Sequence, residues 1–286
     1  MTPFAMLYTI AAGVPIAWAA LALAAVLRRY GRPERGVWLA ALVLALVAPA
    51  VVLLDLFGTP VVPTAPPVVG VIGLPEFVVI PVPESSMDFG ELVLIAWLLV
   101  STGLAARWGV AAYRLAQASR SWQPGTIDGV SVWMTEDVGP AVSGVFRPKV
   151  LAPSWLHTLP GSQRALVLMH EEEHVRAHDP LVIAFTRLAR ILAPWNPVVW
   201  LLSSRLVRAV ELDCDRRVLR RTSDVAAYGH TLLTVSERRP GHLIAAAAFA
   251  ESEAPLRTRI LNMTTPPRAI SLAAIGAATV LGVVLL

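Results

Sequence analysis

The sequence predicts an α-helical polytopic membrane protein that also carries a domain of mixed α and β structure. Two observations predict this fold class. The 286 residues are 56% hydrophobic and have a positive mean hydropathy, which is more than a soluble domain of this length needs. Four uncharged apolar stretches are each close to the length that crosses a bilayer, and the long segment between the third and the fourth is charged.

The four apolar stretches predict four transmembrane helices. They cover residues 4–27, 37–54, 92–106 and 269–286, and the third can extend through Arg107 if that side chain reaches the membrane surface. The first stretch differs from a secretory signal peptide, because no basic segment precedes it and four arginines follow it. We therefore interpret it as a membrane anchor.

The distribution of basic residues predicts the orientation of these helices. Four arginines lie at 28–35, no lysine or arginine lies at 36–106, and the other 20 basic residues lie at 107–268. Basic loops stay on the cytoplasmic side of a membrane. We therefore expect residues 28–36 and 107–268 in the cytoplasm, and the loop at 57–90 and both termini outside. The expected location is the inner (cytoplasmic) membrane.

These patterns divide the chain into five parts. Residues 1–56 hold transmembrane helices 1 and 2, 57–90 form an extracytoplasmic loop, 91–110 hold helix 3, 111–268 form the cytoplasmic domain, and 269–286 hold helix 4. The loop contains seven prolines, which forbid a helix there. We interpret it as an ordered connection rather than a sensor or a lid, because none of its residues has the chemistry of a site.

Local patterns inside the cytoplasmic part predict helices with a small β element. Residues 130–137 alternate and residues 141–151 are rich in β-branched side chains, which together predict a two-stranded ribbon with Pro148 at its edge. One helix is predicted to begin at Ser162 and another at Pro197, with Asn196 as its cap. Further helices are predicted at 181–192 and 224–237.

The segment from His170 to His174 has the pattern H-E-x-x-H. Residues four apart lie on one face of a helix, so both imidazoles can reach one zinc ion. Glu171 then lies beside the metal, where it can take a proton from the attacking water. A chance match on a charged helical face is the alternative. The apolar run ALVLM before the motif and the predicted helix favour the zinc site.

The two histidines leave one protein ligand unassigned, because a catalytic zinc ion has three. The candidates on charge and position are His178, Asp179, Glu211, Asp213 and Asp215. Glu211 and Asp215 are four residues apart, so one helical face offers both a ligand and a carboxylate that orients a histidine. A solvated acidic pair opposite neighbouring arginines is the alternative, and spacing leaves the choice open.

Two further residues have weaker signals. His230, in the segment AYGHTLL, is a candidate to stabilise the oxyanion of the reaction, but a partly buried helical histidine is the simpler interpretation. Cys214 is the sole cysteine of the sequence, so no disulfide can form within one chain. We interpret it as a small buried residue.

Several segments together resemble a known family. HEEEHVRAHDP, WNPVVWLL and ELDCD resemble the BlaR/MecR-type membrane metallopeptidases, the antirepressor family of beta-lactam sensing, as do VSGVFRPKVLAPSWL and LRTRILNM. The resemblance covers about residues 90–286. It implies a gluzincin-like zinc metallopeptidase domain between the third and fourth spans, with His170, His174 and Glu211 as ligands and Glu171 as catalytic acid and base. It also implies that Asp215 and Asp179 support the ligands.

The resemblance implies a protein substrate, either a transcriptional repressor or the protease itself. Members of the family that sense beta-lactams carry a penicillin-binding domain after the last span. The sequence ends at Leu286 and contains no S-x-x-K motif of that domain. We therefore expect a relative that lacks the C-terminal penicillin-binding sensor domain and does not sense beta-lactams.

The sequence as a whole favours a membrane-anchored zinc endopeptidase whose partners are a protein substrate and the lipid bilayer. No direct nucleic-acid binding is expected, and a homo-oligomer is left open. One alternative is an intramembrane protease of the site-2 type, but EEEHVRAHD is too charged for a span that faces lipid. The other is a non-enzymatic membrane receptor or scaffold with a structural zinc site, which would have no open coordination position.

Overall fold

The structure is a computed structural model that describes residues 3–58, 89–136, 138–222, 224–238 and 256–264. The predicted fourth span and nearly all of the 57–90 loop lie outside the described residues. Their placement therefore stays a prediction.

The first three predicted spans are helical. They form α1 (Pro3–Arg29), α2 (Arg35–Gly58) and α3 (Phe89–Ala118), and a 3₁₀ turn at Ser119–Ser121 extends the last of these. By length and composition, Pro3–Arg29 and Phe89–Ser121 can each cross a membrane. The apolar part described for the second helix is shorter, Arg35–Val51.

The β element is a four-stranded sheet and not the predicted two-stranded ribbon. Its strands are β1 (Gln123–Ile127), β2 (Val130–Thr135), β3 (Ala141–Ser143) and β4 (Lys149–Pro153), in the order β1-β2-β4-β3. The segment expected as one strand at 141–151 contains two, because the chain turns at Gly144, whose φ is +95°. β4 then inserts between β2 and β3 and pairs in parallel with β2.

The predicted edge position of the strand that follows Pro148 is also wrong. β4 begins at Lys149 and lies in the middle of the sheet. Pro148 lies one residue before it, so its missing N–H falls outside the ladder of hydrogen bonds and does not limit the strand to an edge.

The other described elements are a 3₁₀ helix at Ser154–Thr158 and five α-helices. The α-helices are α4 (Gly161–Arg176), α5 (Asp179–Leu192), α6 (Pro197–Thr222), α7 (Val225–Arg238) and α8 (Leu256–Thr264). The Asn196 side-chain oxygen accepts a hydrogen bond from the Val198 N–H at 2.9 Å, so the predicted cap of α6 is confirmed. The cap expected at Ser162 is wrong, because α4 begins one residue earlier and Pro160 occupies the cap position.

Two hydrophobic clusters hold the elements around the H-E-x-x-H helix, and one of them includes residues of that helix. One lies between α4 and the sheet and includes Val132, Leu156 and Leu168. The other joins α1 and α2 to α5 and α6, and in it Leu42 and Leu202 are fully buried. The first two predicted spans are therefore packed against the helices that continue from the motif.

Candidate active site

His170 and His174 lie on one face of α4, and both are buried. Their Nε2 atoms are 3.2 Å apart. Two nitrogens bound tetrahedrally to one zinc ion at about 2.0–2.1 Å would lie roughly 3.3 Å apart. The i, i+4 spacing on a regular helix therefore places the two rings at the separation that one metal ion needs.

The other nitrogen of His174 is held by an acidic side chain. Its Nδ1 lies 2.8 Å from Oδ2 of Asp179, which is fully buried. A carboxylate accepts hydrogen bonds, so Nδ1 carries the proton and the lone pair lies on Nε2. Asp179 in turn pairs with Arg35 Nη1 at 2.5 Å and with Arg217 Nη2 at 3.1 Å.

The other nitrogen of His170 is held by a hydroxyl. Nδ1 lies 2.8 Å from the hydroxyl of Tyr228, which donates to Oδ1 of Asp215 at 2.7 Å. Burial raises the pKa of Tyr228, so the hydroxyl keeps its single proton and gives it to Asp215. The Tyr228 oxygen must therefore accept from Nδ1 of His170, and this lone pair also lies on Nε2.

This arrangement differs from the expected direct contact between Asp215 and a histidine N–H. The shortest distance from Asp215 Oδ1 to His170 Nδ1 is 3.7 Å, because the Tyr228 hydroxyl lies between them. Asp179 makes the direct carboxylate–imidazole contact instead. Tyr228 was missed by the sequence analysis, since it lies 58 positions from His170 and no local motif includes it.

Glu211 faces the pair of Nε2 atoms from α6. Its two carboxylate oxygens lie 3.7 Å from Nε2 of His174 and 3.9 Å from Nε2 of His170. These distances exceed by a few tenths of an ångström the roughly 3.4 Å expected between two ligand atoms of one zinc ion. A small movement of the side chain is enough to close this gap.

Cys214 is a competing ligand candidate, because it lies within 4.8 Å of both histidines. Its sulfur is 3.3 Å from Nδ1 of His170, the nitrogen that also contacts Tyr228. Burial raises the pKa of the Cys214 thiol, which disfavours the thiolate form that a metal ligand needs. Cys214 also contacts His174. Glu211 fits the third position better, because its two oxygens face the two Nε2 atoms, whereas the Cys214 sulfur contacts Nδ1 of His170.

The residues around His174 favour a positive charge. Burial lowers the pKa of His174, but Cys214, Glu211 and Asp179 around it together raise that pKa well above its ordinary value. Two imidazole nitrogens and a carboxylate that converge in such surroundings are a donor set that zinc prefers. These residues therefore fit a zinc ion.

Arg259 of α8 is a second residue that the sequence analysis missed. Its Nη2 and Nε donate to the two oxygens of Asp215 at 2.6 and 2.9 Å. The same guanidinium lies 3.4 Å from Oε2 of Glu211 and 3.3 Å from Nε2 of His170. The signal was present in the quoted segment LRTRILNM, but nothing in the spacing tells which of its arginines turns inward.

Two cavities meet at the motif. One, of about 360 Å³, extends from the histidines to α3 and α5, and the other, of about 220 Å³, extends towards α7. Both are lined by Pro140, His170, Glu171 and Arg259. A chain that passes through both cavities would therefore pass directly over Glu171.

Glu171 is buried and lines both cavities. The next two residues of the motif are engaged elsewhere. Glu172 pairs with Arg176 at 3.1 Å, and Glu173 pairs with Arg176 at 2.8 Å and with Arg221 at 3.1 Å. Of the three glutamates, Glu171 is the one that the described cavities expose to a substrate.

Three other candidates lie away from the histidine pair in the described part of the chain. His230 is exposed and its Nδ1 is 3.3 Å from Gln163 Nε2, so the structure does not bring it to the described cavities. His178 is exposed in a left-handed conformation between α4 and α5. Asp213 pairs with Arg216 at 2.9 Å.

Comparison with known proteins agrees with the resemblance noted in the sequence. The sequence model of the family BlaR1 peptidase M56 matches residues 93–263. The chain is 32% identical over 129 residues to the protein called Regulatory protein BlaR1 of Bacillus licheniformis. That match covers 43% of this chain and 21% of the relative, so the chain spans about a fifth of the length of that relative. From the family match over residues 93–263, we conclude that the chain belongs to the BlaR1 peptidase M56 family.

Proposed function

We propose that the chain is a membrane-anchored zinc endopeptidase that cuts a protein substrate by attack of water on a peptide bond. His170, His174 and Glu211 would hold the zinc ion. One observation carries the proposal: both histidines present their Nε2 lone pairs to one point, because acceptors hold both Nδ1 protons. When bound there, zinc supplies a Lewis acid that polarises the substrate carbonyl and makes water more acidic.

Glu171 is the general base and acid of this proposal. It follows the first histidine directly, it is buried, and it lies where the two cavities meet. Its carboxylate takes the proton of the attacking water and delivers it to the amine that leaves. The other motif glutamates form ion pairs with arginines and do not compete for this role.

The sheet supports an extended peptide as the substrate. β3 lies at the end of the described strand order and pairs with β4 on one side. Residues 140–145, which contain β3, line the larger cavity beside the histidines. An extended peptide can add to such an edge through main-chain hydrogen bonds. The cavities on both sides of Glu171 leave room for chain before and after the cleaved bond, as an endopeptidase requires.

The substrate class that we propose is a regulatory protein of the cytoplasm, or a second copy of the protease itself. The name of the relative, Regulatory protein BlaR1, supports a role in regulation. The predicted orientation, with residues 107–268 on the cytoplasmic side, supports a cytoplasmic substrate. Both are proposals for this chain.

We expect His174→Ala to lose zinc and His178→Ala to keep it. The two histidines are four residues apart, but His174 is buried against Asp179 whereas His178 is exposed. The measurement is the zinc content of detergent-purified protein by mass spectrometry, which should give one zinc per chain for the unaltered protein. A content near zero in the unaltered protein, or equal contents in both variants, would contradict the zinc proposal.

We expect Arg35→Gln to weaken zinc binding although Arg35 lies outside the segment that the family model matches. Arg35 neutralises the Asp179 carboxylate that orients His174. Loss of a group that supports a ligand weakens metal binding by roughly 10- to 100-fold. Competition with a chelator measures this change. Arg32→Gln is the matched control, because Arg32 is an exposed arginine of the same link, and equal affinities in the two variants would exclude this role.

A further inference from the structure

The turn between α5 and α6 is an uncharged stretch inside an arginine-rich segment. From Arg190 to Arg205 the intervening 14 residues, 191–204, contain no charged side chain and include two tryptophans. An apolar stretch of this length is too short to span a bilayer, but it is typical of a buried core segment or of a segment that enters the membrane and returns. The contacts of the turn distinguish these two possibilities.

The tip of the turn contacts α1 far from the basic end of that helix. The Trp195 Nε1–H donates to the Thr9 hydroxyl, and the Asn196 side-chain amide donates to the Thr9 carbonyl, both at 3.4 Å. Thr9 lies 19 residues before Arg28, which corresponds to about 28 Å along a helix. The tip therefore lies beside the apolar body of α1.

A second contact places the tip beside α3. The Trp97 Nε1–H donates to the Leu192 carbonyl at 3.3 Å, and the Trp97 ring packs edge-on against Trp195 at 5.7 Å. Trp97 lies eight residues after the start of α3, and Thr9 lies six residues after the start of α1. Both helices qualify as membrane spans. The tip contacts each of them a similar number of residues after its first residue, so both contacts indicate a similar depth of the tip in the membrane.

α6 follows α1 over most of the length of α1. Asn196 contacts Thr9 at one end, Val198 packs against Gly13, and the Arg216 Nη1–H donates to the Arg32 carbonyl at the other end. The outer surface of the hairpin is apolar, since Leu188, Leu192 and Leu201 are 45%, 51% and 39% exposed. In water such side chains would add to an exposed apolar patch, whereas beside α1 and α3 they can face lipid.

We propose that the α5–α6 turn, residues 191–204, enters the lipid bilayer from the cytoplasmic side and returns. The proposal rests on the proposed membrane anchoring by α1 and α3. It changes the predicted organisation, in which all of 111–268 is cytoplasmic. The candidate active site, at the other end of α5, is then held at the membrane surface about 20 Å from the tip.

The two arginines that bound the turn fit this placement. Arg190 donates to the Ser204 hydroxyl at 3.2 Å and lies over the Trp200 ring at 4.9 Å, so its charge is partly satisfied inside the hairpin. Arg205 lines a small cavity together with Arg28 and Glu34. Arg28 lies one residue before the end of α1, so the Arg205 side chain extends from α6 towards the predicted cytoplasmic boundary.

Spin labels on single introduced cysteines in proteoliposomes of the full chain test the proposal. Leu201→Cys reports the turn, Leu99→Cys reports the outer surface of α3, and Leu233→Cys reports α7 as the aqueous control. The native cysteine, Cys214, is fully buried. Labelling of the unaltered protein measures the background signal from this cysteine. The measurement is the accessibility of each label to oxygen, which concentrates in lipid, and to a water-soluble nickel complex.

We expect the ratio of oxygen to nickel accessibility at Leu201 to match that at Leu99 and to exceed that at Leu233 several-fold. A lipid-like ratio at Leu99 with a water-like ratio at Leu201 would overturn the membrane-entering turn and leave the proposed anchoring intact. Water-like ratios at all three positions would overturn both.

Discussion

Glu171→Gln should keep its zinc and lose peptidase activity by roughly 10²- to 10⁴-fold, the usual contribution of a general acid or base. Glutamine preserves the shape of the side chain but cannot accept the proton of the attacking water. Zinc should remain, because the proposed ligands are His170, His174 and Glu211, and Glu171 is not one of them. The measurement is cleavage of a peptide library by detergent-purified protein, read by mass spectrometry, beside the zinc content of the same sample.

Glu172→Gln is the matched control for this variant. It makes the same chemical change at the next position, where the carboxylate pairs with Arg176 and lines neither cavity. We expect this control to cleave at close to the rate of the unaltered protein. Cleavage by Glu171→Gln at the unaltered rate would exclude Glu171 as the base, whereas loss of zinc from that variant would show that it acts on the metal instead.

Glu211→Gln should lose most of the zinc, whereas Asp215→Asn should keep it with an affinity weaker by roughly 10- to 100-fold. Glu211 presents both carboxylate oxygens to the two Nε2 atoms. Asp215 acts through Tyr228 and is also the bidentate partner of Arg259. Its loss therefore loosens His170 without removing a donor. Zinc content and chelator competition on the purified variants measure the two effects.

The variant Cys214→Ser tests whether Cys214 rather than Glu211 is the third zinc ligand. The thiol contacts Nδ1 of His170, so its replacement should leave the zinc content unchanged. If Cys214→Ser empties the site while Glu211→Gln retains zinc, the thiol is the third ligand. If Asp215→Asn empties the site and Glu211→Gln does not, the roles of the two carboxylates are reversed.

The sequence by itself determined the features that depend on neighbours along the chain. The i, i+4 spacing of His170 and His174 is enough to place both rings on one helical face, because the helix repeat is fixed. The cap at Asn196 follows from the side-chain oxygen beside the first free N–H groups of α6. The helical character of the first three apolar stretches also follows from local composition, since few other structures suit an uninterrupted apolar run.

The tertiary structure alone decided which distant residues meet. Arg35 reaches Asp179, Tyr228 stands between Asp215 and His170, and Arg259 turns towards Glu211, each across many positions of sequence. The parallel pairing of β2 with β4 also brings together segments that are not neighbours along the chain. Spacing along one helix fixes the direction of a side chain about its own axis. It does not fix which other helix or strand packs against that face, because this depends on the sum of many weak contacts over the whole fold.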